Sequence, residues 1–256
     1  LATLDQLSNG RIGLNVVAGW NKPEYDAFGM DLPSDHSDRY AMAQEWFDYV
    51  TRLWREDSAF DWEGTFFRGK GVYGLPHPAQ ARVPVINAAA SEEGRGFAMR
   101  NADFLFTPVF DFEQAKETVA DIKQKSQSVG RDVQVLTFCT VVCRPTQKEA
   151  EEYLNWYANE HADWEAVDNL MTLQGMHAQS FTKEALAMFR DRFAAGHGGF
   201  PLVGTPDHIA DQLEKLSDTG VAGTTLSFVD YAKEFPYFRQ EVLPRLEARG
   251  LRLPVE

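Results

Sequence analysis

Apolar residues along the chain fall into short continuous runs separated by longer amphipathic segments. Continuous apolar runs are typical of strands that are buried on both faces of a parallel sheet. Five runs fit this description and predict strands over 12–17, 83–90, 103–107, 133–142 and 224–229.

Between these runs, apolar residues recur at the spacing of one helix face. The clearest examples are Tyr40, Ala43, Phe47, Val50 and Trp54, then Ala115, Val119 and Ile122, then Ile209, Leu213 and Leu216. A glycine stands shortly before three of the predicted strands, at Gly10, Gly130 and Gly220. Glycine ends helices because it adopts the left-handed conformation without strain. Alternating helices and strands favour an α/β fold, and the pattern leaves both a doubly wound sheet and a (β/α)8 barrel open.

The segment 147–201 interrupts this alternation. It is rich in Glu and Ala and then in aromatic residues, which predicts a helical insertion within a single domain spanning 1–256. Its last part, 182–201, contains Gly196, Gly198 and Gly199 and is predicted to be a mobile loop. Such a loop suits an active-site lid, although a surface loop without a role explains it equally well.

Composition excludes several functional classes. Lys+Arg 25 against Asp+Glu 38 gives a net charge of −13, which disfavours nucleic acid and anionic membranes as partners. Neither an apolar stretch long enough to cross a membrane nor a basic-then-apolar leader is present, so we expect a cytoplasmic protein. The two cysteines are expected to be buried free thiols. The six histidines lack metal-ligand spacing, and no Gly-x-Ser-x-Gly motif indicates a hydrolase.

Three polar segments are the candidates for chemistry. Asn15 lies within an apolar run, where a buried amide must find hydrogen-bond partners in the protein or in a ligand. Arg39 and Tyr40 follow Asp35 at a predicted helix start, a combination that suits either an anion site or an ordinary cap with a surface charge. Ser91 stands where a strand meets a helix, as an N-cap or as a phosphate ligand.

Taken together, these segments resemble the bacterial luciferase-like flavin-dependent monooxygenases, in particular the branch of the alkanesulfonate and pyrimidine monooxygenases. The first segment reads Asn-Val-Val-Ala-Gly-Trp-Asn-Lys-Pro-Glu-Tyr over 15–25, with Ala18 where the family usually has Thr. The others are Asp-His-Ser-Asp-Arg-Tyr over 35–40 and Ala-Ala-Ala-Ser-Glu-Glu-Gly over 88–94. The similarity runs from Gly10 to about Arg249.

The resemblance implies a (β/α)8 TIM barrel that binds reduced FMN at the carboxyl ends of its strands. The five predicted strands would be its fourth to eighth, so the first three are expected to be missing from this chain. Residue by residue, the resemblance places Asn15 and Glu24 near the flavin ring or its ribityl chain, and Arg39, Tyr40 and Ser91 around the phosphate. It identifies no catalytic residue here, and no metal is expected.

The implied activity is that of a two-component monooxygenase. A separate flavin reductase supplies reduced FMN, which reacts with O2 to form a flavin peroxide or C4a-hydroperoxide that oxygenates a small organic substrate. Family members associate, so a homo-oligomer is expected. The alkanesulfonate enzymes carry Arg and His in the strand aligned with 135–142, where this chain has Phe138 and Thr140. Without that cation we predict a neutral or heterocyclic substrate.

Three alternatives remain. The chain could be a deazaflavin (F420)-dependent oxidoreductase of the same superfamily, since both cofactors place a phosphate near the same helix end. It could be a non-catalytic flavin-binding barrel protein. It could also be a barrel that binds an unrelated phosphate-bearing ligand.

Overall fold

The computed structural model describes residues 1–19, 21–89, 91–174 and 182–254. These form two compact units. The first contains Leu1–Phe106 and Lys125–Val133, and the second contains Thr107–Gln124 and the residues from Gln134 onward. Within the described ranges, no helix is long and apolar enough to cross a membrane.

The first unit contains a three-stranded parallel sheet, an antiparallel hairpin and four helices among its described residues. Its elements in chain order are α1 (Ala2–Ser8), β1 (Leu14–Val16), α2 (Lys22–Ala27), α3 (His36–Leu53), β2 (Phe60–Glu63), β3 (Arg68–Val72), β4 (Val85–Ala88), α4 (Glu92–Asn101) and β5 (Phe104–Phe106). Strand β4 lies between β1 and β5 and is parallel to both. Helices α3 and α4 pack against each other through Phe47 and Phe97, whose rings are 6.0 Å apart.

The hairpin of β2 and β3 was not predicted from the sequence. Its strands are short and contain several charged residues, so they lack a continuous apolar run. The carboxylate of Glu45 on α3 fixes the turn, because it accepts hydrogen bonds from the backbone N–H groups of residues 65, 66 and 67 at 2.8–3.0 Å. A tertiary contact of this kind leaves no local sequence signal.

The second unit contains three parallel strands, with β6 in the middle. Its elements are α5 (Phe112–Ser128, whose last turn belongs to the first unit), β6 (Gln134–Cys143), α6 (Gln147–Asn155), a π-helix (Trp156–Glu160), α7 (Trp164–Leu173), α8 (Lys183–Gly196), β7 (Phe200–Gly204), α9 (Pro206–Asp218), β8 (Gly223–Ser227), α10 (Tyr231–Glu241) and α11 (Leu243–Ala248). Strands β7 and β8 both pair with β6. The predicted apolar face of α9 is buried at Ile209, Leu213 and Leu216.

The predicted α/β class with parallel strands is confirmed, and the five predicted strands are all present with slightly different ends. Gly10, Gly130 and Gly220 have the expected positive φ angles of 76°, 72° and 92°. Closure of a (β/α)8 barrel, the absence of its first three strands and a single domain over 1–256 stay predictions.

The prediction of a mobile loop over 182–201 is wrong, because most of this segment is α8 and its end begins β7. The glycines of this segment serve close packing and not mobility. A Cβ at Gly196 would lie 2.5 Å from the Thr140 hydroxyl oxygen, and one at Gly199 would lie 2.7 Å from it. Glycine is therefore required because this turn packs directly on β6. Strand β7 itself was missed because its apolar run is short and contains a proline.

Candidate functional site

The first turns of α3 and α4 meet around the Tyr40 hydroxyl. Ser91 is the N-cap of α4 and accepts a hydrogen bond from the Gly94 N–H at 3.2 Å. The Tyr40 hydroxyl lies against Gly94, where an added Cβ would collide with it, and forms a hydrogen bond with Ser91. Burial raises the pKa of Tyr40, so this group is a neutral phenol at physiological pH. We call this arrangement of Tyr40, Ser91 and Gly94 the cradle.

Arg39 precedes Tyr40 in the first turn of α3. Its Nε atom is buried and has no hydrogen-bond partner among the described residues. An unpaired buried donor is costly unless a ligand or water satisfies it. The N-cap of this helix is Asp35, which accepts hydrogen bonds from the backbone N–H and the hydroxyl of Ser37 at 2.7 and 2.8 Å. Asp35 therefore has the capping role, and the buried Arg39 Nε is a donor that a ligand can satisfy.

The cradle and Arg39 together fit a phosphate group. The free N–H groups and dipole of the ten-residue helix α4 favour an anion at its N-terminus. The unpaired Arg39 Nε adds a charged donor, and Gly94 has no side chain to keep the Tyr40 hydroxyl away from the helix start. Exposed Glu92 and Glu93 in the first turn of α4 oppose an anion, and the charge of Glu93 contributes to the raised pKa of Tyr40.

Asn15 lies on β1, but its side chain is exposed. The prediction of a buried amide is therefore wrong. Successive residues of a strand face opposite sides, and in β1 it is Val16 that is buried. Asn15 instead lines a cavity of about 350 Å³. The other lining residues are Val16, Val17, Ala18, Tyr25, Met42, Ala43, Trp46 and Phe67.

Glu24 lies on the short helix α2. Its carboxylate accepts a hydrogen bond from the Asn21 side chain at 2.9 Å and does not line the cavity. Its neighbour Tyr25 does line the cavity, with its hydroxyl packed against Gly19, which has a φ of 89°. The two helix starts thus bring Tyr40 and Ser91 together, with Arg39 next to Tyr40 in sequence, whereas Asn15 lines the cavity and Glu24 is bonded to Asn21.

Asn87 is a buried polar residue that the sequence analysis did not single out. It lies on β4, is 1% exposed and donates from Nδ2 to the Val16 carbonyl at 2.7 Å. The sequence did contain a signal for this residue, because Asn87, like Asn15, is an amide within a predicted apolar strand.

In the second unit, Phe138 and Thr140 lie on β6, the strand in which the alkanesulfonate enzymes carry Arg and His. The Thr140 hydroxyl donates to the Gly196 carbonyl at 3.1 Å. Neither side chain carries a charge, and the Thr140 donor is used within the protein. Strand β6 therefore offers an anionic group no partner at either position.

The cysteines and the acidic groups do not form a further reactive centre in the part of the chain that the structure describes. Cys139 and Cys143 are buried free thiols, and burial raises the pKa of each to about 11. No group of three or more His, Cys, Asp or Glu side chains in 1–19, 21–89, 91–174 and 182–254 could hold a metal ion.

Parallel strands that lead into helix starts with a phosphate-type cradle are features of α/β proteins that bind phosphate-bearing ligands. The luciferase-like monooxygenase family matches residues 1–223. The FMNH2-dependent dimethylsulfone monooxygenase of Pseudomonas fluorescens (strain Pf0-1) is 32% identical to this chain, with 98% of the chain and 70% of that protein covered. The pyrimidine monooxygenase RutA of Acinetobacter baylyi is 30% identical, with 97% of the chain and 68% of that protein covered.

Among solved structures, a long-chain alkane monooxygenase superposes on the chain with a TM-score of 0.82 and 26% identity, covering 100% of this chain and 67% of that one. The chain belongs to the luciferase-like monooxygenase family. The family, the flavin-dependent monooxygenase class and FMN as cofactor, all predicted from the sequence, are confirmed by these relatives.

Proposed function

We propose that this chain is the oxygenating component of a two-component monooxygenase and binds reduced FMN with its phosphate at the starts of α3 and α4. The observation that carries the proposal is the cradle beside the unpaired Nε of Arg39. In this arrangement the Ser91 hydroxyl, the neutral Tyr40 hydroxyl and the Arg39 guanidinium hold the phosphate, and Asn15 and Glu24 orient the ribityl chain or the ring.

Reduced FMN supplies the electrons with which O2 is activated. The protein binds and orients the cofactor and keeps water away from it. Aromatic side chains of the first unit suit that second task, since Tyr25, Trp46 and Phe67 line the cavity that includes Asn15. A separate flavin reductase is the proposed partner, and self-association and a cytoplasmic location stay predictions.

The proposed substrate is a small neutral or heterocyclic molecule. Phe138 and the internally bonded Thr140 provide no cation for an anionic head group on β6. Relatives named for dimethylsulfone and for pyrimidines, a neutral sulfone and a heterocycle, support this choice.

The test is a fluorescence titration of the chain with FMN and with riboflavin, followed by rapid mixing of the reduced complex with air-saturated buffer. We expect FMN to bind more tightly than riboflavin, because only FMN has the phosphate, and the bound reduced flavin to be reoxidised by O2 with kinetics that differ from those of free flavin. Equal affinity for FMN and riboflavin would remove the assignment of the cradle to phosphate.

The same experiment separates the alternatives. An F420-dependent enzyme shares this fold, and a chain of that kind would prefer the deazaflavin and keep it reduced in air. A non-catalytic flavin-binding protein would bind FMN without altering its reoxidation or oxygenating any neutral substrate.

A further inference from the structure

Asn87 is buried in a way that packing alone does not explain. Its Nδ2 donates to the Val16 carbonyl, while its Oδ1 is also buried and accepts no hydrogen bond from the described residues. A buried carboxamide with an unpaired oxygen carries a desolvation cost that packing by itself does not offset. The hydrogen bond to Val16 is therefore the contribution that the amide makes.

That hydrogen bond joins two segments of the proposed cofactor site. Val16 is opposite Asn87 in the parallel register and is the last residue of β1. Asn15 precedes Val16 directly, and residues 17–19 lead from β1 toward α2. On the other strand, β4 ends at Ala88, shortly before Ser91. The Asn87 side chain thus supplies a donor at the carboxyl end of β1, where its pairing with β4 ends.

We infer that Asn87 is a positioning residue that holds the carboxyl end of β1 against β4 and so fixes Asn15 relative to Ser91. The inference rests on the proposed function, because it assigns both ends of one FMN molecule to these two segments. If Asn87 served packing alone, its loss would lower stability without changing the order of 17–19 or the affinity for FMN.

The experiment compares Asn87→Leu with Asn101→Leu in the full chain. Asn101 is a matched control because it is a buried amide of the same unit, 8% exposed, at the opposite end of α4 from Ser91. Its Nδ2 donates to Gln44 Oε1 at 2.6 Å and to the Phe97 carbonyl at 3.0 Å. Both variants are expected to have a lower melting temperature than the wild type.

Only Asn87→Leu is expected to accelerate amide hydrogen exchange at 17–19 in the absence of ligand. It is also expected to weaken FMN binding about fivefold, the worth of one net hydrogen bond. Exchange at 17–19 equal to that of Asn101→Leu would overturn the inference, and so would faster exchange with unchanged FMN affinity. Failure of the wild-type chain to bind FMN would instead overturn the proposed function, and the cofactor part of the inference with it.

Asn87→Asp provides a rescue that a packing role would not produce. A protonated carboxyl group can donate to the Val16 carbonyl, whereas a carboxylate cannot. The FMN affinity of this variant, relative to wild type at the same pH, is therefore expected to rise from about pH 8 to about pH 5, since burial favours the protonated acid. A ratio that stays as low as that of Asn87→Leu across this whole range would contradict the role of the Val16 hydrogen bond.

Discussion

Gly94→Ala is the substitution that acts most directly on the cradle. An added Cβ would lie 2.5 Å from the Ala89 Cβ and 2.8 Å from the Tyr40 Cζ. Carbon atoms in contact are separated by about 3.5 Å, so both the Tyr40 ring and the backbone that carries Ala89 must move away from the helix start by roughly 1 Å. Overpacking of this size costs about 1–3 kcal/mol. Replacing glycine by alanine within a helix returns about 1 kcal/mol, which leaves a net loss of roughly 0–2 kcal/mol of unfolding free energy.

Gly96→Ala is the matched control in the same helix. The nearest atom to an added Cβ at Gly96 is an Arg100 guanidinium nitrogen at 3.5 Å, which is an ordinary contact. This variant is therefore expected to gain up to about 1 kcal/mol of stability from helix propensity alone. Urea denaturation of the two variants and the wild type measures both values.

The FMN affinities of Gly94→Ala and Gly96→Ala test whether Tyr40 forms part of the proposed phosphate site. Movement of Tyr40 by roughly 1 Å breaks its hydrogen bond with Ser91 and disturbs the proposed phosphate site, so Gly94→Ala is expected to bind FMN at least about tenfold more weakly. Gly96→Ala is expected to bind FMN like the wild type. Wild-type FMN affinity in Gly94→Ala, with the stability of Gly96→Ala, would refute the placement of Tyr40 and of the phosphate.

Further predictions concern a cap, a carboxylate and a strained residue. Ser91→Asp keeps an N-cap acceptor but sets a negative charge against the phosphate, so its melting temperature should stay near wild type while FMN affinity falls by fluorescence titration; unchanged affinity would leave Ser91 as a cap alone. Ser91→Ala should weaken FMN binding by about 1–2 kcal/mol. Asp5 is fully buried and accepts hydrogen bonds from the Gln80 backbone and side chain, which hold its pKa below the ordinary value of an aspartate. This lowered pKa stabilises the folded state at pH values above the ordinary pKa, and the contribution is lost as the pH falls through the lowered pKa. The stability difference between wild type and Asp5→Asn in urea should therefore shrink on acidification below about pH 4, and a pH-independent difference would contradict this. His197 has a left-handed φ of 54° at the C-cap of α8, so His197→Gly should raise the unfolding free energy by up to about 1 kcal/mol, whereas a loss would indicate that its side-chain contacts matter more.

Much of the fold could be predicted from the sequence, because burial on both faces of a strand leaves a continuous apolar run. Strand β6 is the clearest case, with residues 139–143 all buried. The exceptions have physical causes. Strand β7 contains Pro201, which weakens a strand pattern, although its pairing with β6 accommodates it. The hairpin depends on the carboxylate of Glu45, which is distant in sequence.

The candidate site was harder to predict, because sequence periodicity does not tell which face of a short strand is buried. Asn15 and Asn87 are both amides in apolar runs, and only Asn87 is buried. One register step separates their environments, since Asn15 is opposite Ile86 and Val16 is opposite Asn87. The glycines at 196 and 199 posed the same difficulty, because a hinge and a close-packed turn require the same residue.

For Ser91, the capping and the phosphate-binding interpretations are not alternatives. A serine hydroxyl has one donor and two acceptor sites. The cap uses one acceptor site, for the Gly94 N–H. Tyr40 also bonds to this hydroxyl, and because a phenol and a serine hydroxyl can each donate or accept, this hydrogen bond can reverse and release the Ser91 O–H for an anion. A phosphate oxygen could therefore accept from Ser91 without loss of the cap, so the observed N-cap is compatible with a cofactor at this helix start.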